Sequence, residues 1–338
     1  MTPFTYTRAA SIDDALRAAS GSADSKFIAG GTNLLDLMKE NVEQPTHLID
    51  VTRLPLKSIE ETDEGGLMLG ALTTNSQVAH DPRVQERYPL LASAISAGAS
   101  PQLRNAATTG GNLLQRTRCY YFYDTAVACN KRKPGSGCGA IGGKNRIHAI
   151  LGASEQCIAT HPSDMCVALA ALRATIQVAG ANGKRTIAFA DFHRLPHDTP
   201  HVDTTLQPGE LITGVTLPAQ RFTTHYTYLK LRDRLSYAFA LVSVAAALQI
   251  EDGIIVQARV ALGGVAHKPW REQAAEKLLI GKVPDRQAFA AVAEQILSGA
   301  QGQGDNDFKI ELARRAIMRA LEQAAAATPQ SQIDKRIK

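Results

Sequence analysis

The chain has 338 residues, 44 % of them apolar and 20 % charged, with a formal net charge of +5. That length can bury at least two cores, and the ordinary apolar fraction excludes disorder and fibrous repeats. Basic residues are scattered apart from Lys131, Arg132 and Lys133, which gives no footprint for nucleic acid. No run reaches the roughly 18 apolar residues of a membrane span. The start, MTPFTYTRAAS, lacks the charged-then-apolar order of an export signal. The chain is therefore expected to carry no signal of its own. Because a folded subunit can be exported by a signal-bearing partner, the compartment is left as cytoplasmic or periplasmic.

In chain order, SIDDALRAAS predicts a capped helix, and KFIAGG a short buried strand entering a glycine turn. HLIDV and LMLGAL (67–72) read as further strands, and residues 76–98 as helix interrupted at Pro82 and Pro89. From about 115 to 160 neither period is sustained. A loop of this length in a compact chain is functional or disordered, and its cysteines favour function. HPSDMCVALAALRATIQV then predicts a helix followed by a strand, and GKRTIAFADF and ELITGVTLP continue with β character. YAFALVSVAAALQI and IIVQARVALGG are strand-like, and WREQAAEKLLI is helical. A last helix places Ala313, Ile317 and Leu321 on one face. The expected class is α+β.

Two glycine loops suit a diphosphate. KFIAGGTNLLDLMK sets Gly30 and Gly31 between a strand and a helix whose first residues, Thr32 and Asn33, are good N-cap types. TTGGNLL, residues 108–114, repeats that chemistry. Glycine lets the main chain approach an anion closely, and a helix start adds partial positive charge. Neither loop follows the Rossmann or P-loop spacing, so a dinucleotide in another fold is the better reading.

The five cysteines cluster mid-chain with nine, eight, eighteen and eight residues between them. These intervals match neither common zinc ribbons nor small ferredoxins. Cys119, Cys129, Cys138 and Cys157 fall in or beside the irregular segment, where four thiolates suit a [4Fe–4S] cluster or zinc. Cys166, in MCVALAAL, reads as a small core hydrophobe. Lys131–Lys133 read as a solvated basic loop, or as charges offsetting a cluster.

Taken together, KFIAGGTNLLDLMK, QLRNAATTGGNLLQRTRCYYFYD, CIATHPSDM and ALGGVAHKPWR closely resemble the FAD subunits of bacterial molybdenum-containing aldehyde oxidoreductases of the xanthine dehydrogenase family. The resemblance runs from Phe4 to about Ala324. It implies a two-lobed FAD-binding domain of the vanillyl-alcohol-oxidase (PCMH) type at 1–222, with an iron–sulfur insertion at about 115–160. A C-terminal domain of antiparallel sheet and helices, like that of CO dehydrogenase flavoproteins, would follow at 223–328, and a polar tail at 329–338.

By motif position the resemblance implies FAD contacts from Lys26, Phe27, Ile28, Ala29, Gly30, Gly31, Thr32, Asn33 and Leu34 in the first loop. Thr108 and Asn112 in the second loop would join them, as would Asp164, Ile212 and Lys230. It further implies a [4Fe–4S] cluster on Cys119, Cys129, Cys138 and Cys157, and no catalytic acid, base or nucleophile in this chain. The implied partners are a small [2Fe–2S] subunit, a large molybdenum-cofactor subunit where aldehydes become carboxylic acids, and an external electron acceptor. The rival readings are the equivalent subunit of a 4-hydroxybenzoyl-CoA reductase-like complex and a non-catalytic module with structural zinc. A free-standing flavin oxidase is weakened because no histidine-linked flavin attachment signal is found.

Overall fold

The computed structural model describes residues 1–21, 24–219, 222–334 and 336. Positions 22, 23, 220 and 221 of the first expected domain, and 335, 337 and 338 of the expected tail, lie outside the described residues. The first lobe is a parallel three-stranded sheet in which His47–Asp50 lies between Thr5–Arg8 and Ser25–Ile28. The helix Ile12–Ser20 connects its outer strands. The Ser11 hydroxyl caps that helix by accepting from the Asp14 N–H, satisfying one of the unpaired donors of the first turn. Ala15, Ile49, Val51 and Leu54 form the core of this lobe.

The second lobe is an antiparallel five-stranded sheet in the order Ile59–Glu61, Leu67–Gly70, Leu211–Leu217, Thr175–Gly180, Gly183–Ala188. Against it pack Asn75–His80, Pro82–Arg87 and Pro89–Ala97, three helices where an uninterrupted period would have made one. Each break falls where a proline can only open a new helix, because its ring and missing N–H forbid an interior position. Asp164–Ala171 is buried along almost its whole length and packs on both the helix Pro89–Ala97 and the C-terminal sheet.

The third unit is the antiparallel sheet Ile254–Gly263, Val242–Glu251, Tyr226–Leu231, covered by Arg286–Leu297 and Phe308–Ala325. Ala313, Ile317 and Leu321 all face its core. The α+β architecture, with its antiparallel C-terminal domain, is as the sequence implied. In the tail, the Gln330 N–H donates to Thr227 Oγ1 at 2.9 Å, and Gln332 Nε2 to the Tyr228 carbonyl at 3.0 Å.

Two local expectations are corrected. The β character read through GKRTIAFADF stops at Ala188, and Phe189–Phe192 is a helical turn that sinks Phe189 and Phe192 into the core. The strand expected from YAFAL begins only at Val242. The residues before it instead form the rim of a cleft.

Candidate cofactor sites

All three units meet around a cleft of about 790 Å³, a size suited to a large ligand. Among the residues implied as flavin contacts, Thr32, Asn33, Asn112, Asp164 and Lys230 line it. Lys26, Phe27, Ile28, Ala29, Gly30, Gly31, Leu34 and Thr108 are not among its lining residues; Lys26 is exposed and lies 3.8 Å from Glu43, and Ile212 is buried in the core of the second lobe.

The first glycine loop is open toward the cleft. A Cβ on Gly30 would sit 1.9 Å from the Ala106 carbonyl oxygen, so only glycine lets the loop lie against the start of the second loop. Gly31 has φ +68°, a left-handed turn into the helix Leu34–Lys39. Asn33 sits at the cap position but makes no side-chain cap. Its Oδ1 accepts from the Arg116 N–H at 2.9 Å, and its buried Nδ2 has no partner. Among the described residues, the backbone N–H groups of Thr32 and Asn33 also have no acceptor within the protein.

The second loop differs. The Thr109 N–H donates to the Thr73 carbonyl, Gly110 to Ala71, Gly111 to Thr108 Oγ1 and Asn112 to the Thr108 carbonyl. These four main-chain donors are consumed by the fold. What it presents is the Asn112 side chain, whose Oδ1 accepts from Ser163 and, at 2.9 Å, from Gln115.

Deeper in the wall, Lys230 Nζ lies 2.7 Å from Asp164 Oδ2, with both groups buried. Tyr228 donates to Asp164 Oδ1 at 2.7 Å, and burial raises its own pKa well above the usual phenol value. Charge-assisted bonds satisfy this carboxylate from two strand residues, which fixes the end of the helix Asp164–Ala171 on the C-terminal sheet.

Sequence reasoning missed Arg104, Arg118, Arg234 and the aromatic rim Tyr120, Tyr237 and Phe239. Arg118 is paired with Asp36 at 2.9 Å and stacks on Phe239 at 5.0 Å. Arg104 donates to the Gly98 carbonyl at 2.7 Å and keeps a buried Nε without a partner; burial lowers its pKa. Among the described residues neither Arg104 nor Arg234 forms a salt bridge, so both guanidiniums remain available to an anion. The signal was present in QLRNAATTGG and RDRLSY, where arginines abut the motifs.

Beside the cleft the irregular segment folds into a nest. Cys119, Cys129 and Cys157 are buried together with Phe122, Ala140, Ile158 and Ala159, and Cys138 packs against them. Cys129 and Cys138 are bridged backbone to backbone, as are Ser154 and Cys157. As free thiols, burial pushes Cys119 up to about 12 and Cys157 up to about 11, so a metal must displace their protons.

Cys166 lies apart, fully buried in the core of the second lobe. Among the described residues, the one group of three or more potential ligand side chains with all ligand atoms within 4.8 Å is His161, Cys166 and His193. The four nest sulfurs are therefore spread more widely than the roughly 3.8 Å that tetrahedral zinc imposes between thiolates.

The basic run is not a solvated loop. Lys131 is 2 % exposed and pairs with Asp203, which also pairs with Arg116. Burial opposes ionisation of Asp203, yet these two cations hold it well below the usual carboxylate range. Arg132 donates to the Tyr121 and Phe122 carbonyls at 2.8 Å, and only Lys133 is exposed. These charges brace the nest.

Residues 2–220 match the FAD binding domain in molybdopterin dehydrogenase, and residues 226–324 match the CO dehydrogenase flavoprotein C-terminal domain. The chain belongs to this flavoprotein family. It is a FAD-binding medium subunit of the molybdenum hydroxylase and aldehyde oxidoreductase type, and thus an oxidoreductase subunit. It is 53 % identical, over 96 % of its length and 99 % of the relative's, to the aldehyde oxidoreductase FAD-binding subunit PaoB of Escherichia coli K12. Glyceraldehyde dehydrogenase medium chain of Sulfolobus acidocaldarius is 28 % identical, with 95 % and 98 % covered. Among solved structures, carbon monoxide dehydrogenase from Hydrogenophaga pseudoflava superposes with a TM-score of 0.76 at 28 % identity, covering 96 % of this chain and 98 % of that one. No helix among the described residues is long and apolar enough to cross a membrane.

Proposed function

We propose that this chain is the FAD- and [4Fe–4S]-containing electron-transfer subunit of a heterotrimeric molybdenum hydroxylase that oxidises aldehydes to carboxylic acids. A small [2Fe–2S] subunit would deliver the electrons, a large molybdenum-cofactor subunit would carry out the oxidation, and an external acceptor would take the electrons away. The observation that carries this reading is the pairing, in one chain half identical to an aldehyde oxidoreductase subunit, of an open polar cleft and a four-thiol nest beside it. The reductase-like alternative has no comparable support among the relatives described above.

Bound FAD supplies one- and two-electron chemistry that amino-acid side chains lack. The chain's own residues bind and orient. We assign the pyrophosphate to the free N–H groups of Thr32 and Asn33 in the Lys26–Leu34 loop, to Asn112 beside Thr108, and to the Arg104 guanidinium, whose charge no carboxylate among the described residues offsets. Asp164 and Lys230 hold the wall rigid from beneath, and Tyr120, Tyr237 and Phe239 cover the mouth. Ile212 supports this wall from the core. Cys119, Cys129, Cys138 and Cys157, which pack together in the nest, would hold the cluster. We divide the chain at 1–222, 223–328 and 329–338, a division supported by the separate sheets, since the last strand of the five-stranded sheet ends at Leu217 and the C-terminal sheet begins at Tyr226.

The test is the anaerobically purified complex. It should show a flavin spectrum together with iron in excess of two [2Fe–2S] clusters. Full flavin without extra iron would sink the cluster assignment, and a colourless zinc-loaded chain would restore the structural-zinc reading.

A further inference from the structure

The nest contains one polar side chain aimed at a thiol. His148 Nε2 lies 3.1 Å from Cys119 Sγ, with both residues buried. A metal-bound thiolate carries no proton, so this contact requires the hydrogen to sit on Nε2 and the imidazole to donate. The other ring nitrogen, Nδ1, is buried with no acceptor. One tautomer therefore serves the sulfur, and no competing partner draws the hydrogen to the opposite side.

The imidazole is held in place by backbone anchors that converge from three directions. The His148 N–H donates to the Asn145 carbonyl at 2.9 Å, and the next N–H, that of Ala149, donates to the Ile158 carbonyl at 2.8 Å, one residue beyond Cys157. The His148 carbonyl accepts from Asn306 Nδ2 at 3.1 Å and from Lys309 Nζ at 2.7 Å. Lys309 is fully buried on the helix Phe308–Ala325 and also donates to the Gly264 carbonyl at 2.6 Å. The Tyr120 and Tyr121 rings flank the imidazole, with centroids 6.4 and 6.3 Å away. A buried lysine with no carboxylate near its tip is costly to retain merely to cap two carbonyls. Its position makes sense if the backbone at His148 has to be fixed.

We infer that His148 is a positioning residue for the [4Fe–4S] centre: its Nε2–H donates to the Cys119 thiolate and raises the centre's reduction potential, with Asn306 and Lys309 of the C-terminal domain holding it there. This inference rests on the cluster assignment made above. The physical reason is that a hydrogen bond to sulfur draws negative charge off the cluster and so favours the more negative, reduced state. The C-terminal domain, which contributes no cysteine, thereby shares control of the centre's redox poise.

The experiment compares the whole complex carrying wild-type, His148→Phe or His148→Gln, by iron content and by potentiometric titration followed by electron paramagnetic resonance. Iron content of the wild type comes first. If the extra iron is missing there, the cluster assignment fails and this inference falls with it. With the iron present, His148→Phe should retain it while the potential of this centre shifts negative and that of the flavin does not. His148→Gln, which keeps an N–H donor, should recover part of the shift. A fully loaded His148→Phe complex with the wild-type potential overturns the inference, as does a glutamine variant that behaves like phenylalanine. Should His148→Phe fail to load, wild-type complex grown on 15N-histidine decides the matter. Pulsed resonance should show a weak histidine nitrogen coupling to the reduced centre. No coupling, or one of directly bonded size, overturns the proposal.

Discussion

In the cleft, polar groups are left open: the Thr32 and Asn33 N–H groups, Asn33 Nδ2 and Arg104 Nε have no protein partner. In the cysteine nest the basic side chains are spent inward instead, Lys131 on Asp203 and Arg132 on main-chain carbonyls, around thiols enclosed by apolar side chains. Under the proposed function, the contrast is between two ways of preparing for a charged guest. An anionic, elongated ligand would be met by donors that the fold itself leaves without a partner. A compact inorganic centre would be met by thiols whose neighbouring cations, Lys131 and Arg132, are already spent on protein acceptors.

The comparison breaks most sharply at Cys129. Cys129→Ser should abolish the iron in excess of the partner clusters while leaving the flavin absorbance of the complex near one per chain. Parallel loss of both would mean that nest and cleft fold as one unit. Next in size is Lys230→Met, which strands Asp164 in the wall of the cleft. Removing one partner of a buried pair costs roughly 3–5 kcal/mol, and chemical denaturation should register a loss of that order. Adding Asp164→Asn should return part of it, because the uncompensated charge is then gone.

A third test concerns pH. Burial lowers the Lys309 pKa from 10.5 to about 7. Between those values the unfolded chain binds a proton that the folded chain does not, so stability rises with pH there. Below about 7 both states are protonated and the full penalty is present. From pH 7 to 9 the wild type should gain about 2 kcal/mol relative to Lys309→Met, read from denaturation midpoints at each pH. A parallel pH profile for the two proteins would show that the ammonium is stabilised by its two carbonyl acceptors more than burial penalises it.

The smallest effects separate the two glycine loops. Gly30→Ala must push the first loop off Ala106 and should weaken FAD binding at least about tenfold, which corresponds to about 1.4 kcal/mol. Gly111→Ala meets only the Thr108 hydroxyl, at 2.9 Å, and should change the flavin dissociation constant less than about threefold. Equal effects would return the second loop to a main-chain phosphate cradle.

Much of this molecule was legible along the chain. Proline positions divided 75–97 into three helices because a ring that cannot donate acts wherever it sits. The period of Ala313, Ile317 and Leu321 identified a buried face because helical spacing alone sets which side chains align. The glycine pairs and the clustered cysteines drew attention to the cleft and the nest for the same reason: their chemistry belongs to the residue type. Composition could not show that one glycine loop keeps the Thr32 and Asn33 N–H groups free while the other spends those of Thr109 and Gly110 on Thr73 and Ala71, since those acceptors lie on a strand end and turn brought close only by folding. Nor could it reveal that Lys131 is buried against Asp203, 72 residues away, or that Lys309 reaches His148 across 161 residues. Those partnerships depend on which surfaces are removed from water together, and only the packed tertiary structure decides that.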